Sequence, residues 1–299
     1  MVRVRVPATT ANLGPGFDVL GMALKLYNFV EMDLLAAGLE IEISGEGADH
    51  IPASSENIVY KIAQRVFSKA AFKAEGLHIK LENNIPIARG LGSSAAALVG
   101  GAVAANALSG SHLTMSELID LASEMEGHPD NVVPAMAGGI TICCQLEEVT
   151  TFRKLEPHEG ITGIAVIPSF ELSTRAAREA LPKLVPMEDA VFNLGRLGLL
   201  LYAFQTGDID LVKEAMKDRL HQPYRLTLVP GMDKVFAAAL DKGAAGVALS
   251  GAGPTVIAFG SMLLAESIGV SMKDAFQKQG IESTVKVLLP ETTGAEIVG

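Results

Sequence analysis

The chain predicts an α+β protein built in two parts. Three observations carry this reading. Alternating strand patterns and apolar helical stripes are interleaved along the whole length. A charged, irregular stretch at 150–160 separates two sets of such elements. In the second set the order strand, helices, strand, strand, helix, strand is that of a split βαβ sandwich. The chain has 299 residues, room for two domains. Hydrophobic residues are 49% and charged residues 19% of it, which excludes a disordered or fibrous chain.

Residues 2–6 alternate as a strand, and 26–33 and 38–44 do so more loosely. Asn57 is placed to cap a helix whose Ile58, Ile62, Val66 and Ala70 recur at four-residue steps. Gly76 ends that pattern and 77–81 alternates again. After a turn-rich loop, 93–108 is a helix of almost nothing but Ala, Val, Leu and Gly. Such a helix is apolar all round and is expected to be buried on most sides. A further helix spans 116–126, with Leu118, Leu121, Ala122 and Met125 on one face, and 138–145 returns as a strand. Beyond the charged break come a strand at 161–167 and helical patterns at 174–180, 189–204, 209–219 and 233–240. Strands at 245–250 and 255–259, a helix at 263–279 and a strand at 283–289 follow.

The net charge of −10 argues against a general nucleic-acid binder, which needs many Lys and Arg contacts to phosphate. Cys143 and Cys144 are neighbours, a spacing that does not suit an ordinary disulfide, and read as buried strand thiols. The alternating apolar and basic N-terminus lacks the apolar block of a signal peptide. The longest uncharged apolar stretch, 95–105, is too short to span a bilayer. A soluble cytoplasmic protein is expected.

Three loops carry the chemistry. Pro86-Ile87-Ala88-Arg89-Gly90-Leu91-Gly92-Ser93-Ser94-Ala95-Ala96 lies between a strand and the long apolar helix. Its glycines admit positive φ and leave room for a bound group, and Ser93 and Ser94 stand where an N-cap belongs. The unpaired amides and positive dipole end of the helix suit a phosphate, the alternative being an ordinary Gly-rich turn with a Ser cap. It is not a Walker A loop, whose spacing and Lys are missing. A Val at Gly92 is expected to block the bound phosphate group while leaving the fold largely intact. The second loop, PATTANLGPGFD at 7–18, gathers Asn12 and Asp18 directly after the first strand. The third, SGAGPT at 250–255, is a Gly-rich turn between two apolar strands.

Together these loops, with Glu126-Gly127-His128-Pro129-Asp130-Asn131-Val132, resemble the GHMP kinase superfamily nearly end to end, and its homoserine-phosphorylating branch in particular. The resemblance implies a two-domain α+β fold. Residues 1–158 would be a ribosomal-protein-S5-like half holding the ATP loop, and 159–299 a ferredoxin-like half. It implies ATP-dependent phosphorylation of the side-chain hydroxyl of L-homoserine, a step toward threonine. The alternatives are another small-molecule kinase of mevalonate type, or a non-catalytic nucleotide or amino-acid sensor. ATP would lie over residues 86–96. Mg²⁺ would be held by Ser93 and Glu126; Glu124 is the other candidate, but it points away from the apolar stripe. Asn131 stands where some relatives carry a base, so it would orient the hydroxyl, with Asn12 and Arg178 as its catalytic companions and Asp130 left as an alternative base. Phosphoryl transfer accommodates this, since positioning and charge neutralisation dominate it. Asn12 and Asp18, with His128 and Asn131 near, would take the amino end of the substrate. Arg178 and Arg225 would take the carboxylate, with Thr174 on the face of Arg178. Neither nucleic acid nor membrane is expected as a partner, and a homodimer is left open.

Overall fold

The computed structural model describes residues 1–147 and 149–299. In the first half, strands β1 (Val2–Ala11), β2 (Leu20–Leu35) and β3 (Gly38–Gly45) lead to helix α1 (Ile58–Lys69) and β4 (Gly76–Asn83). Helices α2 (Ser93–Leu108), α3 (Met115–Glu126) and α4 (Pro129–Ala137) precede β5 (Ile140–Leu146) and β6 (Val149–Leu155). The second half runs β7 (Thr162–Pro168), α5 (Thr174–Glu179), α6 (Met187–Thr206), α7 (Ile209–Ala215), α8 (Gln222–Arg225) and α9 (Met232–Asp241). It ends with β8 (Gly246–Leu249), β9 (Val256–Gly260), α10 (Ala265–Gln277), β10 (Ser283–Leu288) and β11 (Glu296–Ile297).

Among the described residues the strands form two sheets, one of seven and one of four. The sixteen-residue β2 organises the first. Along its far end, Phe29–Leu35, it pairs with β4; along its near end, Leu20–Met22, it pairs with β5. β1 takes its other edge. β3 and β4 are parallel, which requires a crossover, and α1 supplies it. α1 is capped by the Asn57 side chain, which accepts from Val59 N, and buries Val59, Ile62, Val66 and Phe67. α2 lies between α1 and the sheet. A Cβ at Gly100 would crowd Val30, and one at Gly101 would crowd Ile62, so the glycines of this helix permit its close approach.

The four-stranded sheet has the order β10-β7-β9-β8, all antiparallel, the expected split βαβ arrangement. One face, with Ile164, Val166 and Val256, packs on Val235, Ile268 and Phe276 of α9 and α10. The alternate residues Ala165, Ile257 and Phe259 join a larger core shared with Phe204, Val212, Leu20 and Leu24.

Three elements differ from the sequence reading. Half of the stretch read as linker is β6, which forms a hairpin with β5 through pairs such as Cys143↔Phe152 and Gln145↔Thr150. Its Thr, Arg and Lys side chains hid an edge strand. The segment 129–137 is a buried helix with Pro129 in its first turn and Pro134 inside it. The last residues leave the second half altogether: β11 pairs with β1, Val4↔Ile297 and Arg5↔Glu296.

Candidate active site

The three loops meet, and they hold one another by backbone contacts. Thr9 N donates to Leu91 O (3.1 Å) and Gly251 N to Ala11 O (3.1 Å), while Thr255 N donates to Arg89 O (3.3 Å). Ser250 Oγ donates to Gly90 O (2.6 Å) and lies 2.9 Å from Thr10 Oγ1. Gly90 and Gly92 both have positive φ, 76° and 71°. A Cβ at Gly90 would strike Ser250 O, and one at Gly92 would strike Thr9 Oγ1. These glycines are therefore required by loop-to-loop approach as well as by any ligand.

Above the junction lies a cleft of about 380 Å³. Residues 86–94 line it, with Asn12, Asp18, Glu126, His128, Asp130 and Asn131. Thr174, Arg178 and Arg225 complete the wall from the second half. Ala95 and Ala96 are fully buried beneath the loop. Arg89 is turned away: its guanidinium donates to the carbonyls of Ile87, Pro168 and Ser169, tying the loop to the second half.

One sequence expectation is corrected at the helix start. Gly92, in left-handed conformation, is the N-cap of α2, and no side chain caps it. Ser93 and Ser94 are the first helical residues. It is Ser94, not Ser93, whose Oγ donates to Glu126 Oε2 (2.7 Å). Glu124 instead pairs with Arg65 on the surface (2.9 Å). Burial pushes the Glu126 carboxyl above its ordinary range, and the Ser94 hydrogen bond only partly opposes it. Among the described residues no group of three or more His, Cys, Asp and Glu forms a metal cage. Two hard oxygen donors at a phosphate loop fit a cation that keeps waters and takes phosphate oxygens, as Mg²⁺ does.

α4 sets the next wall. Asn131 Oδ1 accepts from Thr9 Oγ1 (2.8 Å), and its amide donates to Asp130 Oδ1 (3.3 Å). Asp130 is buried and paired with His128 Nδ1 (2.5 Å), which raises the imidazole against its own burial. Both of these bonds fall on one Asp130 oxygen, Oδ1.

The amino-acid end departs from expectation in detail. Asp18 and Arg178, expected on opposite ends of a substrate, face each other in a bidentate pair, both contacts 2.9 Å. Asn12 has φ 70°; its amide donates to Gly251 O (2.8 Å) and its carbonyl accepts from Asp18 N (3.0 Å), so its side chain braces the loops. Arg225 is 2% exposed. It donates to Ala177 O, Gly251 O and His221 Nδ1, all within 3.2 Å. Thr174 opens α5, which Ser173 caps, and Arg175 is a solvated charge paired with Glu179. Sequence reasoning missed His221, whose place in HQPYR is beside a residue it did single out.

Two family models match the chain, GHMP kinases N terminal domain over residues 57–139 and GHMP kinases C terminal over 200–278. A homoserine kinase of Moorella thermoacetica is 50% identical over 298 residues, covering both chains completely. The chain belongs to the homoserine kinase branch of the GHMP kinase family. Within that branch, a Desulfitobacterium hafniense homoserine kinase is 42% identical, again over the full length of both. The crystal structure of homoserine kinase from Cytophaga hutchinsonii superposes with a TM-score of 0.91 at 33% identity, covering 99% of this chain and 97% of that one. The L. major mevalonate kinase, at 16% identity and a TM-score of 0.72, shares the two-domain GHMP kinase fold. The expected fold class therefore holds for both halves.

Proposed function

We propose that the chain transfers the γ-phosphoryl group of ATP to the side-chain hydroxyl of L-homoserine, giving O-phospho-L-homoserine for threonine synthesis. One observation carries it: a Gly-rich loop at the N-terminus of α2 opens into the same cleft as Asp18, Arg178 and Arg225, in a chain of the homoserine kinase branch. The unpaired amides at the start of α2 would receive the ATP phosphates. Ser94 and Glu126 would hold the divalent cation that a kinase uses with ATP, here Mg²⁺, which when bound neutralises charge on the phosphate oxygens.

The substrate is a zwitterion. Its ammonium and carboxylate can each replace one partner of the Asp18–Arg178 pair, and Arg225 offers a second guanidinium to the carboxylate. One N–H of the Asn131 amide remains to orient the hydroxyl in line with the phosphoryl group, and Thr9 keeps that amide from flipping. No carboxylate base is needed at position 131, since the loose transition state carries its charge on the phosphoryl oxygens. A coupled ADP-release assay tests the reading. Turnover with L-homoserine and none with mevalonate is expected; the reverse would replace the substrate, and no turnover with either would favour a sensor.

We take 1–158 and 159–299 as the two structural units, except that the final strand belongs to the first sheet. A cytoplasmic reaction is supported by the use of ATP as substrate; no described helix is long and apolar enough to cross a membrane. A homodimer is supported by α6. Val191, Leu194, Leu199 and Tyr202 are exposed on one of its faces, and Gly195 and Gly198 have open space where a side chain would be. The pairs 191/202, 194/199 and 195/198 share one midpoint, as antiparallel packing about a twofold axis requires. Leu194→Asp should convert the protein to a monomer in sedimentation; an unchanged mass would remove this face from consideration.

A further inference from the structure

His221 is completely buried, although imidazole is a polar ring. Its two nitrogens have different tasks. Nε2 donates to Gly14 O in the first loop (2.8 Å). Nδ1 is therefore left with a lone pair, and Arg225 Nη1 donates to it (3.2 Å). Burial holds the ring below its ordinary pKa, Asp218 pulls it upward, and Arg225 pushes it down. The nearest carboxylate, Asp218, stands 3.6 Å from Nε2, and its oxygens already accept from Asn193 Nδ2 and from the amides of Leu220, His221 and Gln222.

Arg225 is the unusual partner. It is a nearly buried cation with no carboxylate within 4 Å among the described residues; its acceptors are two carbonyls and the imidazole. Nε and Nη1 are engaged by these groups, which leaves Nη2 for the cleft. A guanidinium is planar, so fixing Nε and Nη1 fixes the direction of Nη2. Phe17 completes the mount. Its ring stacks on His221 at 5.3 Å and 25°, and the Cζ atoms of Arg225 and Arg178 lie 5.3 and 5.8 Å from its centroid. The two cleft arginines thus share one aromatic platform that is anchored by one neutral histidine.

We propose that His221 is the positioning residue of the carboxylate subsite: as a neutral acceptor seated on Phe17, it aims Arg225 at the carboxylate of the amino-acid substrate. This rests on the reading of Arg225 as a carboxylate acceptor. His221 acts through Arg225 and touches no substrate. A single acceptor of this kind is worth about three- to tenfold in binding.

The test is a kinetic double-mutant cycle on the full-length enzyme with His221→Phe and Arg225→Ala, using L-homoserine and 3-aminopropan-1-ol, which is homoserine without its carboxylate. His221→Phe should raise the homoserine KM about three- to tenfold, leave the ATP KM alone, and lower the preference for homoserine over the amino alcohol. In the Arg225→Ala background the same change should add nothing. His221→Asn, which keeps a short acceptor facing Arg225, should recover part of the preference and serves also if the Phe variant folds poorly. Effects of the two substitutions that simply multiply, or a preference untouched by His221→Phe, would overturn the proposal while leaving Arg225 in its role. If Arg225→Ala itself leaves the homoserine KM unchanged, the carboxylate reading fails and this inference with it.

Discussion

At the scale of single residues, the cleft is organised by which hydrogen-bonding capacity is already engaged. Asn12 has a partner for each end of its amide, whereas the side chains of Ser94 and Glu126 have only each other among the described residues. Ser94→Ala should therefore lower kcat and raise the Mg²⁺ concentration needed for half-maximal rate, while Ser93→Ala should do so far less; equal effects in a magnesium titration would remove the distinction. His221 gives a second prediction, on pH. Its folded pKa lies below the unfolded value of about 6.5. Below that pH the unfolded chain binds a proton that the buried ring resists, so stability falls as the solution is acidified and is unaffected by this group above pH 7. Asp218, Arg225 and Asp18 are the charged groups that face it. Thermal melts at pH 7.5 and 5.5 should show a larger loss for the parent than for His221→Phe. The sequence named the phosphate-loop and charged residues of the cleft wall, because residue type and loop position reveal them, but not Ile51, Val59, Leu81, Ala97 and Leu172, which the packing of other elements brings there. It placed Asp18 and Arg178 on separate duties, since pairing across 160 positions is written in no local pattern.

At the scale of elements, the strongest local patterns were the most legible. The expected span of α2, 93–108, is its observed span, because an all-apolar stretch between a Gly turn and a polar loop has one solution. α4 was hidden by two prolines, which break helices in isolation. Here Pro129 sits in the first turn, where no N–H is missed, and the rest is sustained by burial. β6 was hidden by its charges, which an edge strand carries without cost on its solvent side. The glycine of the phosphate loop was read for the right place and an incomplete reason. Gly92→Val was expected to spare the fold. Instead the new side chain would meet Thr9 Oγ1 and disturb the Thr9–Asn131 bond, at a φ that Val rarely adopts. The variant should lose ATP binding and also melt earlier, by about 1–3 kcal/mol from the backbone conformation alone. Calorimetric unfolding identical to the parent would show that the loop relaxes and that Gly92 serves ATP only.

At the scale of the whole molecule, two sheets do not mean two independent units. The larger core runs from Val4 and Val6 through Leu20 and Leu24 to Phe204, Ile257 and Leu288, so residues of both halves pack into one core. The chain then crosses back. Lys25 N donates to Leu289 O and Glu291 N to Ala23 O, Tyr27 bonds Glu291, and β11 covers the open edge of β1. The end of the second half thus seals the sheet of the first, whose exposed edge would otherwise invite pairing with another chain. This coupling predicts how the protein unfolds. Intact protein should show one calorimetric transition, because neither half can lose its structure without exposing apolar surface of the other. Deleting residues 290–299 should lower that single transition as a whole, although the deleted strand touches only the first sheet. If the halves were separate units, the same deletion would split the trace, moving the transition of the first half and leaving that of the second in place. An unmoved upper peak would show that the shared core does not couple the halves.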